Sequence, residues 1–436
     1  MDNVYYQLKN KIKKRTLKIA VIGLGYVGLP LAVEFVKNGY NVIGIEKNRH
    51  KIDLVNRGIS YIGDVKSNSL KKFVNSKKLI ATDDYSILKK VDCISLCVPT
   101  PLSKTKDPDI SYILSSVESI QKYLRKGHLI ILESTTYPGT TRELILPIFE
   151  RSGLKVGKDF FLVYSPERID PGNKIYTIKN IPKILGGITK KCVQIGKYFY
   201  SEIIDNVIEV SSAEAAEMAK LLENTFRIVN IALVNEFAMM CERLNLNVWE
   251  VIDSASTKPF GYMKFYPGPG LGGHCIPVDP HYLSWKLKSL NYRARFIELA
   301  SEINSEMPEF VVKKITESLN KQKKSVNGSR ILLIGVSYKK DINDIRESPA
   351  LDILSILEKK GASVYYHDPY VSRFVLNGKR YKSKSLNKNF LKNIDYTAIL
   401  TNHSNIDYEF LIENVEGIID TRGVYKNFES KKVVML

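Results

Sequence analysis

A strand–turn–helix–strand pattern near the amino end constrains the fold of this chain more than any other feature. The sequence KIAVIGLGYVGLPLAVEFVKNGYNVIGIEKN predicts a strand at Lys18–Ile22, a helix at Gly28–Lys37 and a strand at Asn41–Ile45. Two strands joined by a helix form the βαβ unit, from which parallel sheets are built. The pattern therefore predicts an α/β fold.

Three glycines occupy the turn between the first strand and the helix, with the spacing G-x-G-x-x-G. Gly23 permits the tight turn, Gly25 lets the backbone approach a pyrophosphate, and Gly28 lets helix and strand pack closely. The pyrophosphate would lie at the helix N-terminus, beside Tyr26 and Val27. In this context the motif predicts a dinucleotide-binding site.

An acidic residue, Glu46, ends the second strand of this unit. A carboxylate at that position can bind a ribose 2′-hydroxyl and repels a 2′-phosphate, which favours NAD over NADP. Lys47 and Arg49 weaken this argument because both can attract a phosphate. We predict NAD as the cofactor.

The composition is that of a globular protein with an excess of positive charge. The 436 residues suffice for two or three domains, and the net charge of +19 suits anionic ligands or, alternatively, reflects lysines that coat the surface. Apart from a cluster at residues 9–18, the basic residues are spread along the chain and form no recognisable nucleic-acid module. We expect no nucleic-acid partner.

The cysteines and apolar segments indicate the compartment. Five scattered cysteines without zinc spacing argue against a disulfide framework and against a metal site, and favour a reducing compartment. The basic start and the uncharged run before Glu34 mimic a signal peptide, but the glycines and the following strand argue against one. No other segment approaches the roughly 18 apolar residues of a membrane span. We expect a cytoplasmic protein without stable membrane insertion.

Three further strands, in VDCISLCVPTP, HLIILESTT and DFFLVYSPE, extend the predicted sheet. Open α/β sheets bind ligands at the carboxyl ends of their strands. The candidate site residues at these ends are Thr100, Glu133, Ser134, Thr135 and Glu167. Of these, Thr100 and Glu133 are expected to bind the cofactor.

The sequence changes character twice after the first sheet. An uninterrupted helix is predicted from about Ala213, followed by a Gly/Pro-rich segment at 259–280 and a helix at about 293–319. A second α/β unit begins with a strand at 331–336. We predict an α/β protein with two Rossmann-like doubly wound domains joined by a long central helix in a helical middle domain. The predicted domain boundaries are 1–210, 211–325 and 326–436.

The second α/β unit differs from the first at its turn. It has one glycine there rather than three, and its loop carries Lys339, Lys340 and Arg346. This difference predicts an anionic ligand other than the dinucleotide.

Cys275 lies in YPGPGLGGHCIPVDP, a stretch that glycine and proline exclude from helix and strand. Gly272 and Gly273 would let a ligand approach the backbone and the sulfur. A thiolate can capture an aldehyde as a thiohemiacetal, whose further oxidation leaves a thioester for water to hydrolyse. The sequence favours this nucleophile over the alternative, a small buried loop residue.

Lys220 and Asn224 stand one turn apart on the long helix. An ammonium and a carboxamide on one face can donate hydrogen bonds to a substrate oxygen that develops negative charge. Taken alone, such a pair is also compatible with a solvated helix face.

Six motifs together resemble the nucleotide-sugar 6-dehydrogenases, the family that contains UDP-glucose dehydrogenase. In the family's order they are GLGYVGLPLA, ESTTYPGTT, YSPER, AKLLENTFRIVNIALVNE, GGHCIPVDP and SYKKDINDIRESPA. The resemblance extends from about Lys18 to the final strand region. It implies a UDP-sugar substrate and a dimer-forming central helix, hence a homodimer or a higher homo-oligomer.

The resemblance also implies roles for individual residues. Cys275 matches the catalytic nucleophile, Asp279 the acid that helps to handle protons beside it, and Lys220 and Asn224 the oxyanion-stabilising pair. Glu167 matches the carboxylate that activates the hydrolytic water. Thr135 is implied to position that water, and the residues implied to bind substrate are Arg168, Lys220, Asn224, Gly272, Gly273, Lys339 and Arg346.

Two motifs depart from the UDP-glucose branch of the family. SPERIDPG and GGHCIPVD resemble the branch that acts on UDP-N-acetylhexosamines, and a DPG turn replaces the second acid, so Glu167 alone should activate water. Residues 294–312 resemble the bacterial UDP-N-acetylglucosamine 6-dehydrogenases of surface-polysaccharide pathways. UDP-glucose, UDP-N-acetylgalactosamine and UDP-N-acetylmannosamine are the alternative substrates.

Two other classes of function compete with this interpretation. A single-step NAD dehydrogenase of a phosphorylated hydroxy acid has a similar architecture but needs no cysteine. A catalytically silent nucleotide-binding or scaffold protein would not need to retain Cys275, Lys220, Asn224 and Glu167.

Overall fold

The structure is a computed structural model that describes residues 3–103, 107–170, 172–173 and 175–436. The chain forms two compact units, of which the first comprises Met1–Glu223 and His281–Tyr292 and the second comprises Asn224–Pro280 and Arg293–Leu436. Pro171, in the middle of the predicted DPG turn, lies outside the described residues. The three domain boundaries expected from the sequence stay a prediction.

The first half of the chain is an alternation of strands and helices. In chain order the elements are α1 (Asn3–Lys13), β1 (Lys18–Ile22), α2 (Gly28–Lys37), β2 (Asn41–Ile45), α3 (Arg49–Asn56), α4 (Ser67–Asn75), β3 (Leu79–Thr82), β4 (Cys93–Leu96), α5 (Ser111–Gln121), β5 (Leu129–Leu132), α6 (Leu146–Glu150), β6 (Phe161–Tyr164), β7 (Lys183–Gly187), α7 (Lys190–Tyr200), β8 (Val207–Glu209) and α8 (Ala213–Arg243). A 3₁₀ turn at Tyr85–Lys90 precedes β4, and a π-helical turn at Thr140–Ile145 precedes α6.

These strands form one eight-stranded sheet in the first unit. Its order is β3-β2-β1-β4-β5-β6-β7-β8, and neighbouring strands are parallel except for β6 and β7. The strand order reverses direction between β1 and β4, the position at which open α/β sheets bind ligands.

The second half of the chain begins with helices and ends in a smaller sheet. Its elements are α9 (Val248–Ala255), α10 (Asp279–Lys288), α11 (Arg295–Lys321), β9 (Arg330–Ile334), α12 (Pro349–Lys359), β10 (Ser363–His367), β11 (Arg373–Leu376), β12 (Lys379–Lys382), α13 (Lys388–Leu391), β13 (Tyr396–Ile399), α14 (Tyr408–Asn414), β14 (Ile418–Asp420) and β15 (Val433–Met435). A parallel five-stranded sheet of order β10-β9-β13-β14-β15 lies in the second unit, and β11 pairs with β12 as an antiparallel hairpin.

Each large sheet is covered on both faces. In β1, Ile19 and Val21 pack into one apolar cluster, whereas Ala20 and Ile22 pack into another. Successive side chains of a strand point to opposite faces, so both faces of the sheet are buried, as is usual for parallel sheets. The predicted α/β fold class is confirmed.

The predicted bounds of β1, α2 and β2 agree with the structure. The strand predicted at 331–336 is shorter at its end, because Gly335 has a φ of +80° and turns the chain out of the sheet. No helix in the described part of the chain is long and apolar enough to cross a bilayer.

Candidate active site

The glycine turn after β1 has the geometry that a dinucleotide requires. Gly23 has a φ of +89°, and a Cβ there would lie 2.5 Å from the carbonyl oxygen of Cys97. A Cβ on Gly28 would lie 1.8 Å from the carbonyl oxygen of Gly23, so the helix and the turn can pack only around glycine. A Cβ on Gly25 would meet no atom within 4 Å, so the space beside this residue is open. The turn therefore fits a pyrophosphate at the N-terminus of α2.

Glu46 follows β2 and is tied to the same turn. Its Oε2 accepts a hydrogen bond from the backbone N–H of Leu24 at 3.1 Å, and its Oε1 accepts one from Asn48 at 3.1 Å. Tyr26 and Val27 are partly exposed between the glycines. A fixed carboxylate beside a glycine turn suits a ribose hydroxyl, which can donate to it.

The predicted residues at the ends of β4, β5 and β6 lie at one edge of the sheet, because these three strands are parallel neighbours. Thr100 and Glu133 are buried there, whereas Thr135 and Glu167 are partly exposed. The Ser134 hydroxyl donates to the backbone carbonyl oxygens of Leu96 in β4 and of Val98 just after it. The side chain therefore makes a structural contact within the sheet.

A residue that the sequence analysis did not single out lies at this edge. Lys183 is buried, and its ammonium is 2.8 Å from Glu133 Oε2 and 3.4 Å from Glu167 Oε2. The Tyr200 hydroxyl donates to Glu133 Oε1. The only signal in the sequence is a lysine at the start of the apolar run KILGG, which resembles an ordinary strand beginning.

Arg168 connects the segment after β6 with α8. Its Nη1 donates to the carbonyl oxygen of Pro182 at 2.6 Å, and its Nη2 lies 2.7 Å from Glu223 Oε1. The guanidinium is thus held by protein groups on two sides.

Helix α8 is fixed to the π-helical turn by a buried carboxylate. Glu217 accepts hydrogen bonds from the backbone N–H groups of Gly139 at 2.7 Å and Thr141 at 2.9 Å, and from the Thr141 hydroxyl at 2.6 Å. Burial raises the pKa of Glu217 to about 7. Lys220 follows one turn later and is also buried. The contact therefore sets the position of the helical turn that carries Lys220.

Cys275 lies in the second unit, in a tight turn that leads into α10. Its carbonyl oxygen accepts hydrogen bonds from the backbone N–H groups of Val278 at 3.0 Å and Asp279 at 2.7 Å. The residue is partly exposed, and its Sγ lies 3.3 Å from His274 Nδ1.

Asn224 and Asp279 meet beside this turn. Asn224 Nδ2 donates to Asp279 Oδ2 at 2.5 Å, and both side chains are buried. Since the backbone N–H of Asp279 is itself bonded to Cys275, the second unit brings these three predicted residues together.

The two glycines before the cysteine pack against the loop that follows β9. Gly273 has a φ of +98°, and its N–H donates to the carbonyl oxygen of Arg346 at 3.1 Å. A Cβ on Gly272 would lie 2.7 Å from the carbonyl oxygen of Glu347, and one on Gly273 would lie 2.8 Å from the Tyr338 ring. Close packing of two loops is thus a sufficient reason for both glycines, and their contact with substrate stays a prediction.

Arg346 is held by an acidic neighbour on the same loop. Its Nε lies 2.9 Å and 3.0 Å from the two carboxylate oxygens of the buried Asp344, and its Nη2 lies 2.5 Å from Oδ2. Lys339 is partly exposed on this loop. The pair orients the guanidinium before any ligand arrives.

Comparisons with known proteins match nearly the whole chain. Three domains of the UDP-glucose/GDP-mannose dehydrogenase family match it in succession: the NAD binding domain at 17–204, the central domain at 214–306 and the UDP binding domain at 332–427.

Curated relatives and solved structures agree with this assignment. The UDP-N-acetyl-D-glucosamine 6-dehydrogenase of Pseudomonas aeruginosa is 39% identical over 82% of this chain and 84% of its own length. The UDP-N-acetyl-D-mannosamine dehydrogenase of Pyrococcus horikoshii is 35% identical over 94% of this chain and 96% of its own. A solved structure of the UDP-D-ManNAc dehydrogenase from Pyrococcus horikoshii aligns with a TM-score of 0.87 at 32% identity, covering 96% of this chain and 98% of the other. The chain therefore belongs to the UDP-glucose/GDP-mannose dehydrogenase family, whose members include the NAD-dependent UDP-sugar dehydrogenases.

Proposed function

We propose that this chain oxidises the C6 hydroxyl of a UDP-N-acetylhexosamine, with UDP-N-acetylglucosamine as the first candidate, to the carboxylate. The reaction removes four electrons, uses two NAD and consumes one water. We place it in the cytoplasm, as a source of precursors for surface polysaccharide.

The observation that carries this proposal is the arrangement around Cys275. A partly exposed thiol lies on a turn whose carbonyl oxygen is bonded to Asp279, and Asp279 in turn holds the amide of Asn224. A single alcohol oxidation needs no cysteine, whereas two successive oxidations gain from a thiol that keeps the aldehyde covalently bound. The arrangement thus favours the two-step reaction over a single-step hydroxy-acid dehydrogenase.

Each covalent step has a proposed role for named residues. The Cys275 thiolate adds to the aldehyde carbon and forms a thiohemiacetal, whose oxidation leaves a thioester. Lys220 and Asn224 donate hydrogen bonds to the substrate oxygen as negative charge develops on it. Asp279 orients the amide of Asn224 and exchanges protons beside the sulfur. NAD, when bound at the glycine turn and Glu46, supplies the hydride acceptor for both oxidations.

Hydrolysis of the thioester requires an activated water. Glu167 accepts a proton from that water, the oxygen bonds to the carbonyl carbon, and the bond from carbon to the sulfur of Cys275 breaks. Thr135, partly exposed at the same sheet edge as Glu167, positions the water. Glu167 Oε1 accepts hydrogen bonds from the backbone N–H groups of Arg168 at 2.8 Å and Ile169 at 3.0 Å, which fixes its orientation.

The nucleotide of the substrate is assigned to the second α/β sheet. Lys339 and Arg346 lie on the loop before α12, where cations suit a diphosphate. Arg168, Gly272 and Gly273 complete the proposed substrate contacts, and Thr100 and Glu133 are proposed beside the cofactor.

The second candidate substrate is UDP-N-acetylmannosamine. Its support is specific, because the mannosamine dehydrogenase of Pyrococcus horikoshii matches 94% of this chain and its solved structure aligns along 96% of it. The support for UDP-N-acetylglucosamine is the higher identity of 39%. The two sugars are epimers at C2, so a direct comparison of turnover decides between them.

We also infer a homodimer that buries one face of α8. Large apolar side chains recur along this helix with spacings of three, four and seven residues and are exposed: Met218, Leu222, Phe226, Leu233, Phe237 and Met240. Such a contiguous apolar stripe is typical of a protein interface. A second copy of the same helix has the complementary stripe that a two-fold contact needs.

The test is NADH formation with a panel of UDP-sugars: the N-acetyl derivatives of glucosamine, mannosamine and galactosamine, and UDP-glucose. We expect the highest kcat/KM with UDP-N-acetylglucosamine and two NADH per sugar consumed. One NADH per sugar, with an aldehyde as the product, would refute the two-step reaction.

Cys275→Ser provides the control for the covalent mechanism. Serine is a poor nucleophile without an adjacent base, so the variant should bind UDP-sugar and NAD yet form almost no acid. The buried Cys241→Ser is the matched variant and should keep its activity. Near-normal turnover of Cys275→Ser would exclude Cys275 as the nucleophile.

A further inference from the structure

Lys183 is a buried cation that the proposed reaction has not yet used. Its side chain is 4% exposed, and its ammonium contacts Glu133 Oε2 at 2.8 Å and Glu167 Oε2 at 3.4 Å. One positive and two negative groups thus share one buried place.

The direction of β7 explains why Lys183 lies there. The strand β7 is antiparallel to β6, so its first residue lies at the edge where β5 and β6 end. Glu133 follows β5 directly, and Glu167 comes three residues after the end of β6. Three consecutive strands therefore deliver the three charged side chains to one point.

The cluster is braced on several sides. The Tyr200 hydroxyl on α7 donates to Glu133 Oε1, and the ammonium lies 5.0 Å from the centre of the Tyr200 ring. The Cys97 thiol interacts electrostatically with the cluster, and burial raises its pKa, so it stays neutral. Glu133 and Lys183 are therefore fixed, while Glu167 is the partly exposed member.

The pKa directions in the cluster follow from burial and charge. Burial raises the pKa of Glu133 above its usual range. Burial alone would lower the pKa of Lys183, but the negative charges of Glu133 and Glu167 outweigh it and raise that pKa. The lysine therefore stays charged.

The charge count of the cluster has a consequence for proton transfer. With both carboxylates ionised and the lysine protonated, the net charge is −1. When Glu167 accepts a proton, the cluster becomes neutral and leaves the pair of Lys183 and Glu133 intact. A lone ammonium facing Glu167 would instead oppose its protonation, because the neutral form would leave the buried cation without a partner.

We propose that Lys183 is a positioning residue for thioester hydrolysis: it holds Glu167 Oε2 in place, and Glu133 neutralises it so that Glu167 remains basic enough to take a proton from water. This role rests on the proposed function, in which Glu167 is the base.

Two variants test this role because they shift the pH profile of kcat in opposite directions. In Glu133→Gln, Glu167 is the only carboxylate that contacts Lys183, and its ionised form is stabilised. The acidic limb of the profile should therefore move to lower pH, and hydrolysis should slow. Lys183→Met combined with Glu133→Gln removes the cation without leaving Glu133 as an unpaired buried charge. In that variant the acidic limb should move to higher pH.

Both variants should lose kcat by about tenfold or more, as expected when a base is mispositioned or mistuned. The kcat/KM for UDP-sugar should stay close to that of the wild type, since only the hydrolysis that follows acylation slows, and an initial burst of about two NADH per active site should precede slow turnover. A thioester adduct on Cys275 should then accumulate and be visible by intact-protein mass spectrometry. Lys183→Arg should retain part of the activity, and the exposed Lys179→Met is the matched control.

Equal shifts of the pH profile in both variants, or no shift, would overturn the inference. So would a raised KM for NAD in Glu133→Gln without a shift, because Glu133 would then act on the cofactor. If the double variant does not fold, Glu133→Gln carries the test by itself. The proposed function fails separately, if the wild type forms no NADH with any UDP-sugar or if Cys275→Ser stays active.

Discussion

Asn224 Nδ2 donates to Asp279 Oδ2 across 2.5 Å, and water has little access to either side chain. Replacing Asn224 by aspartate would place two carboxylates in contact, so one of them must take up a proton when the protein folds. The free energy of unfolding of Asn224→Asp is then highest at low pH, and it falls as the pH rises through the raised pKa. We expect a loss of about 3 kcal/mol between pH 3 and pH 8, for a pKa raised by about two units from its ordinary value near 4.

Urea unfolding of Asn224→Asp at both pH values checks this, with Asn230→Asp on the same helix as the control. A variant whose stability relative to wild type is equal at both values would contradict the buried contact.

Glu217 makes a second pH-dependent contribution. Its carboxyl ionises in the unfolded chain near its ordinary value, but burial raises its pKa in the folded protein to about 7. The folded state therefore binds more protons than the unfolded state between these values, and stability falls as the pH rises through this window. The expected fall is about 3 kcal/mol, from a shift of about 2.5 units.

The measurement is the free energy of unfolding at pH 5 and pH 7.5 for the wild type and Glu217→Gln. The pH dependence should be weaker in the variant, whereas the exposed Glu306→Gln should leave it as it is. If the free energy of unfolding depends on pH equally in the wild type and in Glu217→Gln, the pKa of the Glu217 carboxyl is not raised by folding.

Glu46 should set the preference for NAD over NADP. Its carboxylate is fixed by Leu24 and Asn48, so a 2′-phosphate would be held against a negative charge. Glu46→Gln keeps the shape and removes the charge, and we expect the ratio of kcat/KM values for NAD and NADP to fall by about tenfold, near 1.4 kcal/mol. Wild-type enzyme that uses NADP as well as NAD would mean that Lys47 or Arg49 dominates this position.

Arg346 should act mainly on the binding of the UDP-sugar. In Arg346→Ala a cation is lost and the buried Asp344 is left unpaired, so the loop would repel a diphosphate. We expect the KM for UDP-sugar to rise by about tenfold or more, with NAD affinity unchanged. The effect should be smaller in Arg346→Lys, which keeps the positive charge but lacks the planar guanidinium that can donate two parallel hydrogen bonds. The exposed Lys360→Ala, at the far end of α12, serves as the control, and an unaltered KM in Arg346→Ala would assign the nucleotide to another place.

The apolar stripe on α8 predicts how the oligomer can be broken. Leu233→Glu together with Phe237→Glu would place charges in a buried contact, so the protein should sediment as a monomer while its circular dichroism is unchanged. Arg227→Gln, an exposed change on the same helix, should not alter the mass. A wild-type monomer at micromolar concentration would remove the basis for this interface.

The sequence predicts those parts of the structure that depend on local patterns. The bounds of β1, α2 and β2 and the long helix α8 agree with the structure, because glycine spacing and apolar periodicity act over a few residues. Ser348 followed by Pro349 is a typical helix start in sequence, and α12 does begin at Pro349, but the Ser348 hydroxyl makes no capping hydrogen bond.

The contacts that sequence reasoning could not supply join residues far apart in the chain. Lys183 meets Glu133 only because β7 runs against β6, and nothing in the run KILGG indicates the direction of a strand. The link from Glu217 to Gly139 is of the same kind, since it joins a helix to a turn 78 residues earlier. The catalytic and binding roles assigned by resemblance stay predictions until the variants are measured.

The reversal of β7 also bears on where this chain can change in length. The chain leaves the sheet after Tyr164 and re-enters it at Lys183 on the same edge, so the intervening segment is tethered at both ends. Because the entropy of closing such a loop rises only slowly with its length, the stretch between Arg168 and Pro182, which are hydrogen-bonded to each other, can be lengthened or shortened with little effect on the strands that hold it. We expect that insertions and deletions in this one stretch leave the fold and Glu167 in place, so it is a part of the gene that can change length freely.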